Sequence, residues 1–201
     1  MIEELKDLVF PTKCLACGKR PKPICQECVP SFHVFEHIES QFFATELTDP
    51  VGNLLGAVKD HNRTALIPVL AVGVSKCLNQ AILKTDPDLL VCPPSSKRQY
   101  RKRGFNPAKE IFARAKPSRM PLSDRALALI RQPKDQRGLS SEERLQNQQN
   151  LYRARISSGR VLLVDDVRTT GATLQSARRA LEQNGVQVVG SCVLAQRILD
   201  F

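Results

Sequence analysis

The sequence predicts an α/β fold built on a parallel sheet, and the last third of the chain carries the prediction. Residues 161–164 (VLLV) are an apolar run of strand length, 173–183 follow a helical pattern stopped by Gly185, and 186–194 are again rich in Val and Leu. Two strands joined through one helix run parallel, which makes this a β-loop-α-β unit. A core can be buried, because 42% of the 201 residues are hydrophobic.

The remaining elements follow in chain order. Residues 1–35 form a Cys-, Pro- and Lys-rich module too small for a core of its own, so something other than burial must hold it together. Residues 36–50 read as a connector whose Phe42 and Phe43 dock on a neighbour, and 51–201 as the α/β domain. Helical spacing predicts a helix over 64–83, with Pro68 tolerable near its first turn. Residues 89–92 are a short buried strand. Asn106 before Pro107 is an N-cap followed by proline at the first helical position. Residues 126–131 read as another strand, and Ser140 with Glu143 as a capping box. Cys77, Cys92 and Cys192 sit singly among apolar neighbours and read as small core residues.

Some function classes drop out. The longest apolar run, 65–74, is far below the roughly 20 residues of a membrane span. Glu3, Glu4 and Asp7 stand where a secretory leader is basic, so a cytoplasmic protein is expected. No GxxxxGK[ST] string occurs. A strand ending in two acids also begins receiver domains, but only 36 residues follow Asp165.

The net charge of +10 is concentrated in 97–137, which holds 13 basic and 3 acidic residues. An anionic partner, a small-molecule phosphate or a nucleic acid, is implied; a solvated face is the plainer alternative.

Chemistry gathers in VLLVDDVRTTGAT, 161–173. Asp165 and Asp166 come at the carboxyl end of a buried strand, where open α/β sheets bind ligands. Thr169, Thr170, Gly171, Ala172 and Thr173 make a hydroxyl-rich turn into a helix, whose free N–H groups and dipole suit a phosphate. Two carboxylates beside a phosphate cradle fit a sugar phosphate, the acids accepting from ribose hydroxyls.

This stretch resembles the phosphoribosyl pyrophosphate (PRPP) motif of type I phosphoribosyltransferases. Together with the CxxC pairs, KRQYRKRGFNPA at 97–108 and QRGLSSEERLQN at 136–147, the chain is similar to the ComF family of competence-associated proteins. The resemblance implies a type I phosphoribosyltransferase fold, a parallel sheet flanked by helices, behind a small amino-terminal zinc finger. It implies that Asp165 and Asp166 bind ribose hydroxyls, that Thr169 to Thr173 bind the 5′-phosphate, and that Ser95, Ser96, Lys97 and Arg98 form a pyrophosphate turn. Two departures stand out: Cys92-Pro93-Pro94 replaces Pro-Val-Pro, and Lys59-Asp60 replaces Lys-Tyr, so no role is assigned to Lys59.

Transfer from PRPP requires pyrophosphate to leave, which Mg²⁺ and overlying cations stabilise. Residues 133–144 fit the mobile catalytic loop of such enzymes, with Lys134, Arg137 and Arg144 as its cations. An ordinary surface loop is the alternative.

Cys14, Cys17, Cys25 and Cys28 form two CxxC pairs, the spacing of a structural Cys₄ Zn²⁺ site. His33 and His37 are not needed once four sulfurs bind. Lys97, Arg98, Arg101, Lys102 and Arg103 interleave with Tyr100 and Phe105, a mixture that suits single-stranded DNA or PRPP itself. The family association implies a PRPP-binding protein of DNA uptake, with DNA-uptake proteins as partners. A metabolic transferase acting on a base or amine, and a non-catalytic DNA-handling module, are the alternatives.

Overall fold

The computed structural model describes residues 13–14, 17–19, 24–28, 30–38, 40–131 and 151–198. A six-stranded sheet has the order β1-β2-β8-β7-β3-β4. Its strands are β1 (Phe35–Ile38), β2 (Gln41–Glu46), β3 (Leu89–Val91), β4 (Leu122–Ser123), β7 (Arg160–Arg168) and β8 (Gln187–Gln196). All neighbours are parallel except β1 and β2, which form a hairpin. Strands β5 (Leu127–Leu129) and β6 (Tyr152–Ala154) pair antiparallel as a separate ribbon.

Helices cover both faces. On one, α1 (Asp49–His61), α2 (Ile67–Thr85) and α4 (Pro107–Ala115) bury Leu54, Leu70, Leu78 and Phe112 against Phe42, Leu162, Val164 and Leu194. On the other, α5 (Ala172–Gln183) places Leu174, Ala177 and Leu181 against Phe43, Val91, Leu163 and Val193. Strands buried on both faces explain why VLLV is continuously apolar rather than alternating. Cys77, Cys92 and Cys192 are fully buried.

Three expectations change. Residues 36–50 are not a connector: most of them build the hairpin, and β2 pairs with β8 inside the sheet, which is why Phe42 and Phe43 are buried. The close packing shows at Gly190 of β8, where an added Cβ would stand 2.5 Å from the carbonyl oxygen of Ser40 in the hairpin turn. Strand β7 does not end at 164, since its ladder continues with Asp165 opposite Val193 and Arg168 opposite Gln196. The 126–131 strand shortens to β5 and lies outside the main sheet.

The stretch Thr64–Thr85 is long and apolar enough, by length and composition, to cross a membrane. Here its Ile67, Leu70, Val74, Cys77, Leu78 and Ala81 are buried in the core, the face expected of a central helix. Pro68 sits at its first turn and Pro107 at that of α4, as their spacing predicts; Asn106 caps α4 by accepting from the Lys109 N–H at 3.4 Å. The 140–143 box lies outside the described residues.

Candidate functional site

A cavity of about 590 Å³ opens above the carboxyl ends of β3 and β7. Its walls bring together Asp165, Asp166, Thr173, Ser95, Ser96 and Arg98, residues up to 78 positions apart in sequence. Leu129, Leu151 and Tyr152 contribute from the β5–β6 ribbon and its approach. This is the place the parallel sheet provides, where neighbouring strand ends leave a crevice. Asn106 braces its edge by donating from Nδ2 to the Pro93 carbonyl at 3.0 Å.

Strand β7 extends through the acid pair, leaving Asp166 buried and Asp165 half-buried. Asp166 is 7% exposed. Burial, reinforced by the neighbouring carboxylate of Asp166, pushes the Asp165 carboxyl up to about 7. Two contacts oppose the rise: Asp166 donates its N–H to Asp165 Oδ1 at 2.8 Å, and the Lys59 ammonium lies nearby. Two carboxylates this close, one of them short of solvent, form a site that gains from a cation or from hydroxyl donors.

Lys59 is the residue that sequence reasoning missed. From the last turn of α1 its Nζ donates to Asp166 Oδ1 at 2.7 Å. Adjacent Asp60 pairs with Lys102 at 3.1 Å and, more loosely, with Arg103 at 3.9 Å. The end of α1 thus bridges the acid pair and the basic segment, a contact between residues 107 positions apart that no local pattern marks.

The basic segment is a helix, α3 (Lys97–Arg103), opened by a reciprocal box: Ser96 Oγ accepts from the Gln99 N–H at 3.2 Å, and Gln99 Oε1 accepts from the Ser96 N–H at 3.3 Å. Tyr100 is 53% exposed, whereas Phe105 is half-buried and packs against the core. Lys102 and Arg103 line the cavity, and Lys97 lines a neighbouring one of about 440 Å³ that shares Ser95. Arg101 is exposed and lines neither. Thr169, Thr170 and Gly171 line a different cavity, while Ala172 opens α5 behind Gly171, a left-handed N-cap with no side-chain cap. Lys134, Arg137 and Arg144 lie outside the described residues.

At the amino terminus the Sγ atoms of Cys14, Cys17, Cys25 and Cys28 all lie within 4.8 Å of one another, with Cys17 and Cys25 at 3.7 Å. Tetrahedral thiolates at Zn–S distances near 2.3 Å stand about 3.8 Å apart, so the set fits a four-sulfur metal site. None of the seven cysteines is joined in a disulfide. Gly18 takes the positive φ of 77° that closes the first turn, and its N–H donates to the Cys14 carbonyl at 2.8 Å.

The comparisons agree with this geometry. Residues 66–199 match the phosphoribosyl transferase domain. The chain is also 27% identical over 188 residues to Competence protein F of Haemophilus influenzae, covering 88% of this chain and 81% of that protein. With the domain match spanning well over half of the sequence and every strand from β3 to β8, the chain belongs to the phosphoribosyl transferase domain family, as a ComF-like member with an amino-terminal four-cysteine cluster.

Proposed function

We propose that the protein binds PRPP with Mg²⁺ in the 590 Å³ cavity and works in DNA uptake as a phosphoribosyltransferase-like competence protein of the cytoplasm. The observation that carries the PRPP reading is the convergence of Asp165, Asp166 and Thr173 with the Ser95 to Arg98 segment around one cavity. Asp165 and Asp166 would accept from the ribose hydroxyls, the turn ending in Thr173 would take the 5′-phosphate, and Arg98 and Lys102 would face the pyrophosphate. Mg²⁺, when bound with the pyrophosphate, supplies charge neutralisation for its departure. Lys59, bonded to Asp166 Oδ1, shares that carboxylate with the arriving ribose hydroxyls. The four thiolates hold one structural Zn²⁺.

The competence reading rests on the relative's name and on α3, an exposed basic helix bearing Tyr100 beside the cavity; cations that follow phosphates and an open ring that stacks on bases suit single-stranded DNA. The test is calorimetric titration of the full chain with PRPP and Mg²⁺. Asp165→Ala/Asp166→Ala should abolish measurable binding, and unchanged affinity in that variant overturns the PRPP reading. A turnover assay with labelled PRPP across pooled bases and amines, with and without single-stranded DNA, decides between a transferase and a non-catalytic DNA-handling module.

A further inference from the structure

The cavity of about 440 Å³ beside the PRPP cavity shares Pro94, Ser95 and Leu129 with it and forms a groove between the start of α3 and the β5–β6 ribbon. Lys97, Arg125, Arg131 and Arg155 line it, all of them exposed. Asp124 lines it too, with its carboxylate on the Lys109 ammonium at 2.9 Å. The backbone beneath two of the arginines is fixed. Arg125 donates its N–H to Ser123 Oγ at 3.1 Å, and Arg155 donates its N–H to the Ala126 carbonyl at 2.8 Å, which sets the two on adjoining segments. Like charges gathered along a concave surface focus their field on an anion.

Helix α3 divides its cations. Arg98 and Lys102, four residues apart, line the PRPP cavity. Lys97 lines the groove instead, and Arg101, four residues further along the same row, is exposed and lines neither. The row from Lys97 to Arg101 therefore continues the groove along the outside of α3, with the exposed ring of Tyr100 beside it. The groove itself is lined on the ribbon side by Leu127, Leu129 and Ile130, and Ile130 is 55% exposed. Apolar surface between cations suits a chain that carries phosphates and unpaired bases together. A duplex keeps its bases stacked on one another, whereas an unpaired base offers its face to such side chains.

We propose that a single strand of DNA runs along the outer row of α3 and into this groove, its phosphates on Lys97, Arg101, Arg125 and Arg155 and a base against Leu129 and Ile130. The inference rests on the DNA reading of α3 and adds the path: the strand leaves the helix over the β5–β6 ribbon, on cations that the PRPP cavity does not use.

The test is fluorescence anisotropy of the full chain with a labelled thymidine oligomer of about 15 nucleotides at several salt concentrations. Arg125→Ala/Arg155→Ala removes two phosphate contacts, so the salt slope should fall by about 1.4 and the affinity at about 0.1 M salt by more than about tenfold. Ile130→Asp, at an exposed position that the core does not depend on, should weaken binding severalfold by placing a carboxylate in the path of the phosphates. PRPP affinity, titrated in parallel, should match wild type in both variants, and a duplex of the same length should bind more weakly than the single strand. Arg101→Ala reports on the underlying reading. Weakening by Arg101→Ala with no change in either groove variant overturns the groove and leaves DNA on α3 standing. A wild-type chain that does not bind the oligomer overturns both. A loss confined to PRPP, or a duplex bound as tightly as the single strand, also overturns the proposal.

Discussion

Replacing Asp165 by Asn should make the ligand-free protein more stable, and increasingly so as pH rises. The Asp165 carboxyl stands at about 7 in the folded chain against an ordinary 3.8. A carboxyl whose pKa is raised on folding binds more protons folded than unfolded across that window, so stability falls as pH climbs through it. The stability present below about pH 4 is lost progressively up to about pH 7. At 1.36 kcal/mol per pH unit, the gap amounts to about 4 kcal/mol at most by pH 8, and the coupling with Asp166 makes that an upper bound. Asn keeps an Oδ1 able to accept the Asp166 N–H and never ionises, so the variant escapes the loss. Urea denaturation of both proteins from pH 4 to pH 8, without ligand, reads the difference directly. The two should be close at pH 4 and separate steadily to pH 8. A stability difference independent of pH would refute the argument that burial holds Asp165 protonated. The same logic requires PRPP affinity to rise with pH between 6 and 8, because ribose hydroxyls donate better to the ionised acid.

Three further outcomes follow. Lys59→Met should destabilise the protein by about 1–3 kcal/mol at pH 8, because Asp166 is left buried beside Asp165 without its cation; Lys59→Met/Asp166→Asn should recover most of the loss, and additive losses in a denaturation cycle argue against the pairing. Metal analysis should return one zinc per chain, and chelation should loosen the amino-terminal module before the sheet, since metal binding there is folding energy; hydrogen exchange protection unchanged after chelation counts against it. Arg101→Ala/Lys102→Ala should lower the salt slope of single-stranded DNA binding by about 1.4, from about 0.7 per phosphate contact, and Tyr100→Ala should cost roughly 1–3 kcal/mol; filter binding at several salt concentrations measures both, and a loss confined to PRPP affinity favours the metabolic transferase.

What the sequence determined by itself is local. The βαβ unit was legible because buried strands write continuous apolar runs, helices write a 3.6-residue period, and Gly185 and the Asn106–Pro107 pair punctuate them. The acid pair, the hydroxyl turn and the two CxxC pairs were legible because each is a short string whose chemistry depends on spacing along the chain. Tertiary structure decided the rest. Residues 36–50 read as a connector since a short hairpin that enters a sheet through β8, about 150 residues later in the chain, leaves no periodic signal of its own. The basic strip became the helix α3 through a reciprocal cap, and Phe105 beyond it packs half-buried against the core while Tyr100 stays exposed. Lys59 reached Asp166 only because α1 ends above β7, and the buried charge of Arg168 arose only because Gln41 and Gln196 close around it from β2 and β8. Each of these depends on which distant groups share a dry space, and desolvation is a property of the packed molecule that no segment possesses alone.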